Sequence, residues 1–369
     1  MNKIKLNVCS LGAPTDPRNW SGTPLNIIKA LESRGAFGQG IQTGKHPDNR
    51  LLKSLLFRAG GLYYKQYNDI QRGVFDRYIK SRGLKKALPA HSHTLHMGTL
   101  DMPFFRKPAK QKHYLYCDAT WHLWSTQSTN MAGYSNRLNK DAERLEKAAY
   151  NQFDHIFTIS EYVKTDLIEH YKIPAHKITP VGTGRGVIQP FYGEKDYQTI
   201  KILFAAKGRF EDKGGPSVLA AFEKAYAANQ NLQLTIVGQN NYPQLIDHPG
   251  IKTHGFLPIA ELQELFNTHS VFLMPAVNEP WGLVYLEALA CKMPIIGLNQ
   301  NAFPEISGYG SYGYILKDIT ALANLLTELP TKGKELQAKG EAGHEHCLKT
   351  YTWENTVDKI IKVIESQTI

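Results

Sequence analysis

Glu279 and Glu287 stand eight residues apart in NEPWGLVYLEALACKMPIIG, residues 278–297. An ionised carboxylate accepts hydrogen bonds only, and it can take two at once, as from vicinal hydroxyls on a sugar or a ribose. Between the two acids, Gly282 permits close approach of backbone to a ligand. If a helix starts there, its first N–H groups, Leu283 and Val284 among them, face outward at the positive end of the dipole and suit a phosphate. A second group is cationic: Lys207, Arg209 and Lys213 in ILFAAKGRFEDKGGPSVLAAF, residues 202–222. Arginine brings a planar fork and lysine a compact charge, and both suit a diphosphate. Near that group they would offset the charge that develops as a glycosidic bond to it breaks. The first half adds Ser21, Gly22 and Thr23 in NWSGTPLNIIKALESRG, and Asp118 and His122 in LYCDATWHLW.

These residues need elements to hold them, and the apolar pattern supplies them. Short apolar runs alternate with longer helical patterns, which predicts parallel sheets in α/β layers. In the first half KIKLNVCSLG, HYLYCDAT, DHIFTIS and KITPVG read as strands. TPLNIIKALESRG reads as a helix ending at Gly35, and SEYVKTDLIEHY as one capped by Ser160. The second half restarts the alternation with KILFAAKG, LQLTIVGQ, IKTHGFL, VFLMPA and PIIGLN as strands. Its helices are PSVLAAFEKAYAAN, ELQELFN, GLVYLEALACK and DITALANLLTEL. The stretch RGVIQPFYGEKDYQT has no periodicity and is the expected linker between domains 1–185 and 200–350. An amphipathic helix over 351–369 closes the chain. On this reading Gly22, Asp118, the cations and Gly282 all follow strands, at the carboxyl edges of their sheets.

The 369 residues suffice for two domains with separate cores. No run of 18 apolar residues is present, so no membrane-spanning helix is expected. The four cysteines are scattered without CxxC spacing, as in a reduced cytoplasmic protein. Charge is uneven. Residues 1–180 hold 27 Lys/Arg against 14 Asp/Glu, whereas the rest hold 16 against 19. The first half therefore faces something anionic, and the Leu-, Tyr- and Lys/Arg-rich residues 50–86 read as one or two basic amphipathic helices. An anionic membrane surface or the acceptor is their expected contact, and no nucleic-acid fold signature accompanies them. VGTGRG lacks the spacing and the following helix of a dinucleotide site. His91, His93 and His96 have metal-ligand spacing but no evident carboxylate or cysteine partner, and no Asp-x-Asp occurs, so no metal is expected.

The E-x7-E segment resembles the signature of the retaining glycosyltransferases of family 4, which have the GT-B fold: two Rossmann-like domains facing each other across a cleft. The resemblance covers nearly all of residues 155–365; residues 45–115 match nothing in the family. It implies that Glu279 contacts the donor hexose and Glu287 the nucleotide ribose, and that Gly282, Leu283 and Val284 bind sugar hydroxyl and diphosphate. The loop 207–215 is similar to the family's G-R-…-K-G loop, which assigns the donor phosphates to Arg209 and Lys213. These two stand four apart where five is the commoner family spacing, and Lys207 is placed to substitute in part. The loop with His254, Gly255, Phe256 and Leu257 resembles the one that holds the base. Gly22 stands where relatives have a glycine-rich loop. Asp118 takes the place of a sugar-contacting histidine, with His122 as the alternative.

The resemblance implies metal-independent transfer of a hexose from a nucleoside-diphosphate sugar, UDP-linked before GDP-linked, with retention of configuration. The acceptor is expected to be a glycan or glycolipid in surface polysaccharide or glycoconjugate synthesis. The expected location is cytoplasmic, with peripheral contact at the inner membrane face. Two other readings use the same fold: a non-catalytic sugar-nucleotide-binding protein and a sugar-nucleotide epimerase.

Overall fold

A computed structural model describes residues 4–44, 50–66, 70–89, 91–104, 110–127, 131, 133–238 and 248–367. The chain forms two compact units, one of residues 1–184 with 353–369 and the other of residues 185–352.

The first unit runs β1 (Leu6–Ser10), α1 (Thr23–Ser33), β2 (Phe37–Gln42), α2 (Arg50–Tyr64), α3 (Val74–Ala87), β3 (Ser92–Met97), β4 (Gln111–Cys117), α4 (Trp121–Gln127), α5 (Asn136–Gln152), β5 (His155–Thr158), α6 (Glu161–Glu169) and β6 (Ile178–Pro180). All six strands are parallel, in the order β2-β1-β3-β4-β5-β6. A parallel sheet covered on both faces needs continuous apolar strands. Leu6, Val8 and Cys9 in β1, Tyr114 to Cys117 in β4, and Ile156 and Phe157 in β5 are buried accordingly. Ser160 caps α6 by accepting from the Val163 amide. Of the basic segment 50–86, residues 50–64 and 74–86 lie in the helices α2 and α3.

The second unit runs β7 (Lys201–Ala205), α7 (Gly215–Ala228), β8 (Gln233–Val237), β9 (Ile251–Thr253), α8 (Ile259–Thr268), β10 (Val271–Leu273), α9 (Leu283–Ala290), β11 (Ile295–Leu298), α10 (Phe303–Ile306), β12 (Gly313–Leu316), α11 (Leu322–Glu328) and α12 (Gly333–Thr350). Its strand order is β12-β11-β10-β7-β8-β9, again all parallel. This is the doubly wound Rossmann order, whose direction reverses between β7 and β10. Ile202, Phe204, Leu234, Ile236, Leu273 and Ile296 form its core with Phe222 and Leu326 from the helices. Residues 185–199, which lack periodicity, pack with this unit. Their Val187 and Ile188 amides bond to Glu287, and Tyr197 donates to the Lys292 carbonyl at 2.7 Å.

The last helix, α13 (Trp353–Ser366), belongs to the first unit. Val357, Ile360 and Ile364 are buried, and Asp358 pairs with Arg34 just past α1.

Candidate functional site

In a doubly wound sheet, ligands bind outside the carboxyl ends of the strands where the strand order reverses. In the second unit those strands are β7 and β10. The loop after β7 carries Lys207, Arg209 and Lys213; the loop after β10 carries Glu279 and Gly282. The fold thus brings residues some seventy positions apart to one sheet edge. Lys213 is buried and its ammonium pairs with Glu279. Burial pulls the Lys213 pKa down, and the Glu279 carboxylate opposes that. Arg209 is half exposed. It donates to Asp212 at 3.3 Å and to the Asn278 carbonyl at 3.2 Å, which ties the cationic loop to the loop of Glu279.

Two glycines make this approach possible. Gly214, at φ 84°, precedes α7, and a Cβ there would sit 2.7 Å from the Pro275 carbonyl oxygen. Gly282, at φ 78°, precedes α9, and a Cβ there would meet the Tyr285 ring at 2.7 Å and Glu279 Cγ at 3.1 Å. Any other residue at 282 would be strained in backbone and crowded in space. Helix geometry leaves the Leu283 and Val284 amides without partners inside α9. The loop is held from behind: Gln300 donates to the Ala276 and Val277 carbonyls at 2.7 and 2.8 Å, and Asn301 to the Glu279 carbonyl at 3.2 Å.

Glu287 lies one turn further into α9 and is buried. One carboxylate oxygen accepts from the Val187 amide at 2.7 Å and the Ile188 amide at 3.2 Å. Burial raises its pKa; the two amides and, less strongly, Lys207 oppose the shift. A Cβ on Gly186 would collide with the same oxygen. Sequence reasoning set VGTGRG aside, and its Gly186 turns out to make room for this carboxylate, while Gly184 lies against Trp353. Phe256 is 61% exposed, and its ring lies 3.4 Å from where a Gly208 Cβ would be. Lys207 at φ 49° and Gly208 at φ 73° form a left-handed pair beside it. Leu257 follows, half-buried.

In the first unit, Trp20, Ser21 and Gly22 have positive φ in succession, 46°, 52° and 81°. A run of that kind, with two residues other than glycine, is strained. The Trp20 indole donates to Asp118 at 3.0 Å, and the Ala119 amide donates to the other oxygen at 2.9 Å. Burial raises the Asp118 pKa against those bonds. Gly22 and Asp118 are thus neighbours through Trp20, a residue that the motif reading passed over. His122 is engaged elsewhere: it bonds Asp166 at 2.6 Å and stacks on His170 with ring centroids 3.7 Å apart. Contrary to the sequence reading, His96 does have a carboxylate and a cysteine partner. Cys9, His96 and Asp101 place metal-type donor atoms within 4.8 Å of one another.

Residues 199–331 match the family described as "Glycosyl transferases group 1", and residues 76–185 match "Glycosyltransferase Family 4". The second match extends into residues 76–115, where motif reading found no likeness. A GDP-mannose-dependent monoacylated alpha-(1-6)-phosphatidylinositol monomannoside mannosyltransferase of Corynebacterium glutamicum is 29% identical over 170 residues, 42% of this chain and 44% of that protein. An alpha-maltose-1-phosphate synthase of Mycolicibacterium smegmatis is 22% identical over 251 residues, 59% of this chain and 65% of that one. The matched segments thus span 44% of the first of these relatives and 65% of the second, less than two thirds of either. In fold, the chain resembles an alpha,alpha-trehalose-phosphate synthase (UDP-forming) from Burkholderia vietnamiensis, with a TM-score of 0.69 and 13% identity over 99% of this chain and 97% of that one. It is similarly close to a sucrose-phosphate synthase from Thermosynechococcus elongatus, with a TM-score of 0.68 and 14% identity over 99% of both chains. Two parallel Rossmann-like sheets and both matched segments lead to one conclusion: the chain belongs to the GT-B glycosyltransferases, family 4 and group 1.

Proposed function

We propose that the chain transfers a hexose from a nucleoside-diphosphate sugar to a hydroxyl of a glycan or glycolipid, with retention of configuration and without a metal ion. The observation that carries this reading is the convergence, at the point where the second sheet reverses, of the Lys213–Glu279 pair, the glycine-initiated helix α9 and the amide-held Glu287. Lys213 and Arg209 hold the diphosphate with the Leu283 and Val284 amides and stabilise it as it leaves. Glu279 meets the sugar hydroxyls, the free oxygen of Glu287 the ribose, and Phe256 and Leu257 the base. With fixed cations on the phosphates, no metal is needed for that charge. Gly22 and Asp118 are the first unit's candidate substrate contacts. UDP is the first candidate and GDP the second. Lipid-borne acceptors fit the stripe Leu51, Leu55, Arg58 and Leu62 on α2, where the three leucines are 77, 62 and 71% exposed. Such a stripe suits an anionic membrane surface.

The test is a panel of nucleoside diphosphates and their sugars added in EDTA, read by thermal shift. One nucleotide series should raise Tm without metal, and none should raise it in Lys213→Ala. That variant should also lose transfer about 10²- to 10³-fold in kcat. Unchanged turnover in Lys213→Ala would remove it from the phosphate site, and a nucleotide-dependent rise in Tm that occurs only with added divalent metal would overturn metal independence. Failure to bind vesicles of anionic lipid would remove the membrane contact.

A further inference from the structure

The strand order of the first sheet reverses between β1 and β3, and three donor atoms of different chemistry meet there. Cys9 in β1 and His96 in β3 are register partners on adjacent strands, so their side chains leave the sheet on the same face. Asp101 comes from the loop after β3. All three residues are buried. The Cys9 thiol lies 3.2 Å from Asp101 Oδ2, and His96 Nδ1 lies 3.1 and 3.2 Å from the two Asp101 oxygens.

Hydrogen bonds running away from this point set the histidine's proton. Gln111 donates its amide to the Pro89 carbonyl at 2.7 Å, which turns its carbonyl oxygen toward His113 Nε2 at 3.3 Å. An amide oxygen only accepts, so His113 carries its proton on Nε2 and presents a bare Nδ1. That Nδ1 lies 2.8 Å from His96 Nε2, which is therefore the donor. His96 Nδ1 then faces the Asp101 carboxylate, where its lone pair is in place to serve as a ligand. The neighbouring cations do not bond the carboxylate. Lys80 is paired with Asp76, and Arg77 with Glu146.

We propose that Cys9, His96 and Asp101 bind a thiophilic divalent cation, zinc by preference, that staples the carboxyl end of β1 to the loop after β3. Thiolate, imidazole and carboxylate are the ligand set for that ion. One divalent cation balances the charges of thiolate and carboxylate, which a buried site requires. A ligating histidine commonly donates its other N–H to an acceptor that fixes the ring, and His113 is that acceptor. These three protein ligands leave the fourth position to a small oxygen ligand such as water. The ion is structural and takes no part in the proposed transfer, so this inference stands apart from the donor-site reading.

The experiment refolds the full chain from denaturant with equimolar Zn²⁺ or Co²⁺, followed by desalting and metal analysis. The wild type should retain about one ion per chain. The cobalt form should show a thiolate charge-transfer band that is absent in Cys9→Ser, although Cys117, Cys291 and Cys347 remain. A strong chelator should lower Tm of the zinc-refolded wild type, a readout that does not depend on any variant folding. A wild type that keeps no metal, or a band that survives Cys9→Ser, overturns the proposal.

Discussion

Each unit buries one glutamate in its interior, and the two are treated in opposite ways. Glu146 of the first unit accepts from Arg77 at 2.7 Å and Thr99 at 2.5 Å, with Arg72 at 3.7 Å. Burial pushes its carboxyl up, but Arg77 and Arg72 outweigh that and hold it below its ordinary value. Glu287 of the second unit has two backbone amides and, among the described residues, no ion pair; its pKa is raised. The first carboxylate is fully compensated by its own chain. The second is oriented but under-compensated, which is the usual condition of a group kept for a ligand. The same contrast holds around them. The first unit holds loops with polar networks: Arg77 donates to the Thr99 and Met102 carbonyls, and Ser81 to the Asp101 carbonyl. The second unit has a mainly apolar core and gathers charge at its carboxyl edge.

Breaking the first arrangement should produce the largest effect. Arg77→Met leaves Glu146 buried with the Thr99 hydroxyl and, as its remaining nearby cation, a partly exposed Arg72. Removing one partner of a buried pair costs about 3–5 kcal/mol. In a unit of this size that corresponds to a Tm lower by roughly 10 °C. Hydrogen exchange should place the loss in residues 1–184 and leave the second unit's core amides protected. Equal loss in both units would mean that the two do not draw on separate interiors. The linkage has a definite sign. The folded pKa of Glu146 is lowered, so its contribution is present above the unfolded value of 4.5 and fades as pH falls through the folded value. The first unit should therefore be the acid-sensitive one.

A middle-sized effect comes from Gly186→Ala. Its Cβ would collide with the Glu287 oxygen that accepts from Val187 and Ile188. The carboxylate must then turn or the segment must shift. Loss of one charge-assisted bond is worth about 1.5–3 kcal/mol. If that loss falls on the nucleotide, the donor KM should rise about tenfold or more with a smaller change in kcat. An unchanged donor KM would show that Glu287 does not orient the nucleotide.

These two residues also show what a linear reading can reach. The E-x7-E spacing and the strand–Gly–helix pattern around Gly282 are local, so the sequence displays them within twenty residues. Alternating apolar runs in β7, β8 and β10 likewise announce a parallel sheet. The cradle of Glu287 is not local: Gly186 lies 101 positions away, and no period links them. Its glycines instead suggested a nucleotide motif with the wrong spacing. The histidines mislead in the opposite direction. His93 and His96 are near in sequence, but a strand alternates its faces. His93 therefore bonds Tyr114 at 3.0 Å, while His96 meets Cys9 and Asp101. Trp20 is unreadable for a third reason. Its role depends on a left-handed backbone that its side chain does not favour.

The smallest effect sharpens the contrast most directly. Glu287→Gln keeps the shape of the side chain, and its amide oxygen can still accept from Val187 and Ile188. It removes a carboxyl whose folded pKa lies above its unfolded 4.5. Between those two values the folded wild type holds a proton that the unfolded chain has lost, so wild-type stability falls as pH rises through that window. Above it, the burial penalty on the charge persists. The variant has no such titration. Its second unit should match the wild type at low pH and be slightly more stable at pH 7, by about 1 kcal/mol or less, while its nucleotide affinity falls about tenfold as a charged bond becomes a neutral one. Urea unfolding across pH 4 to 8, with nucleotide titration at pH 7, reads both. A stabilised variant with weakened nucleotide binding means that Glu287 is held for a ligand at the cost of stability. A variant as unstable as Arg77→Met would place Glu287 with Glu146, as a carboxylate that serves the fold.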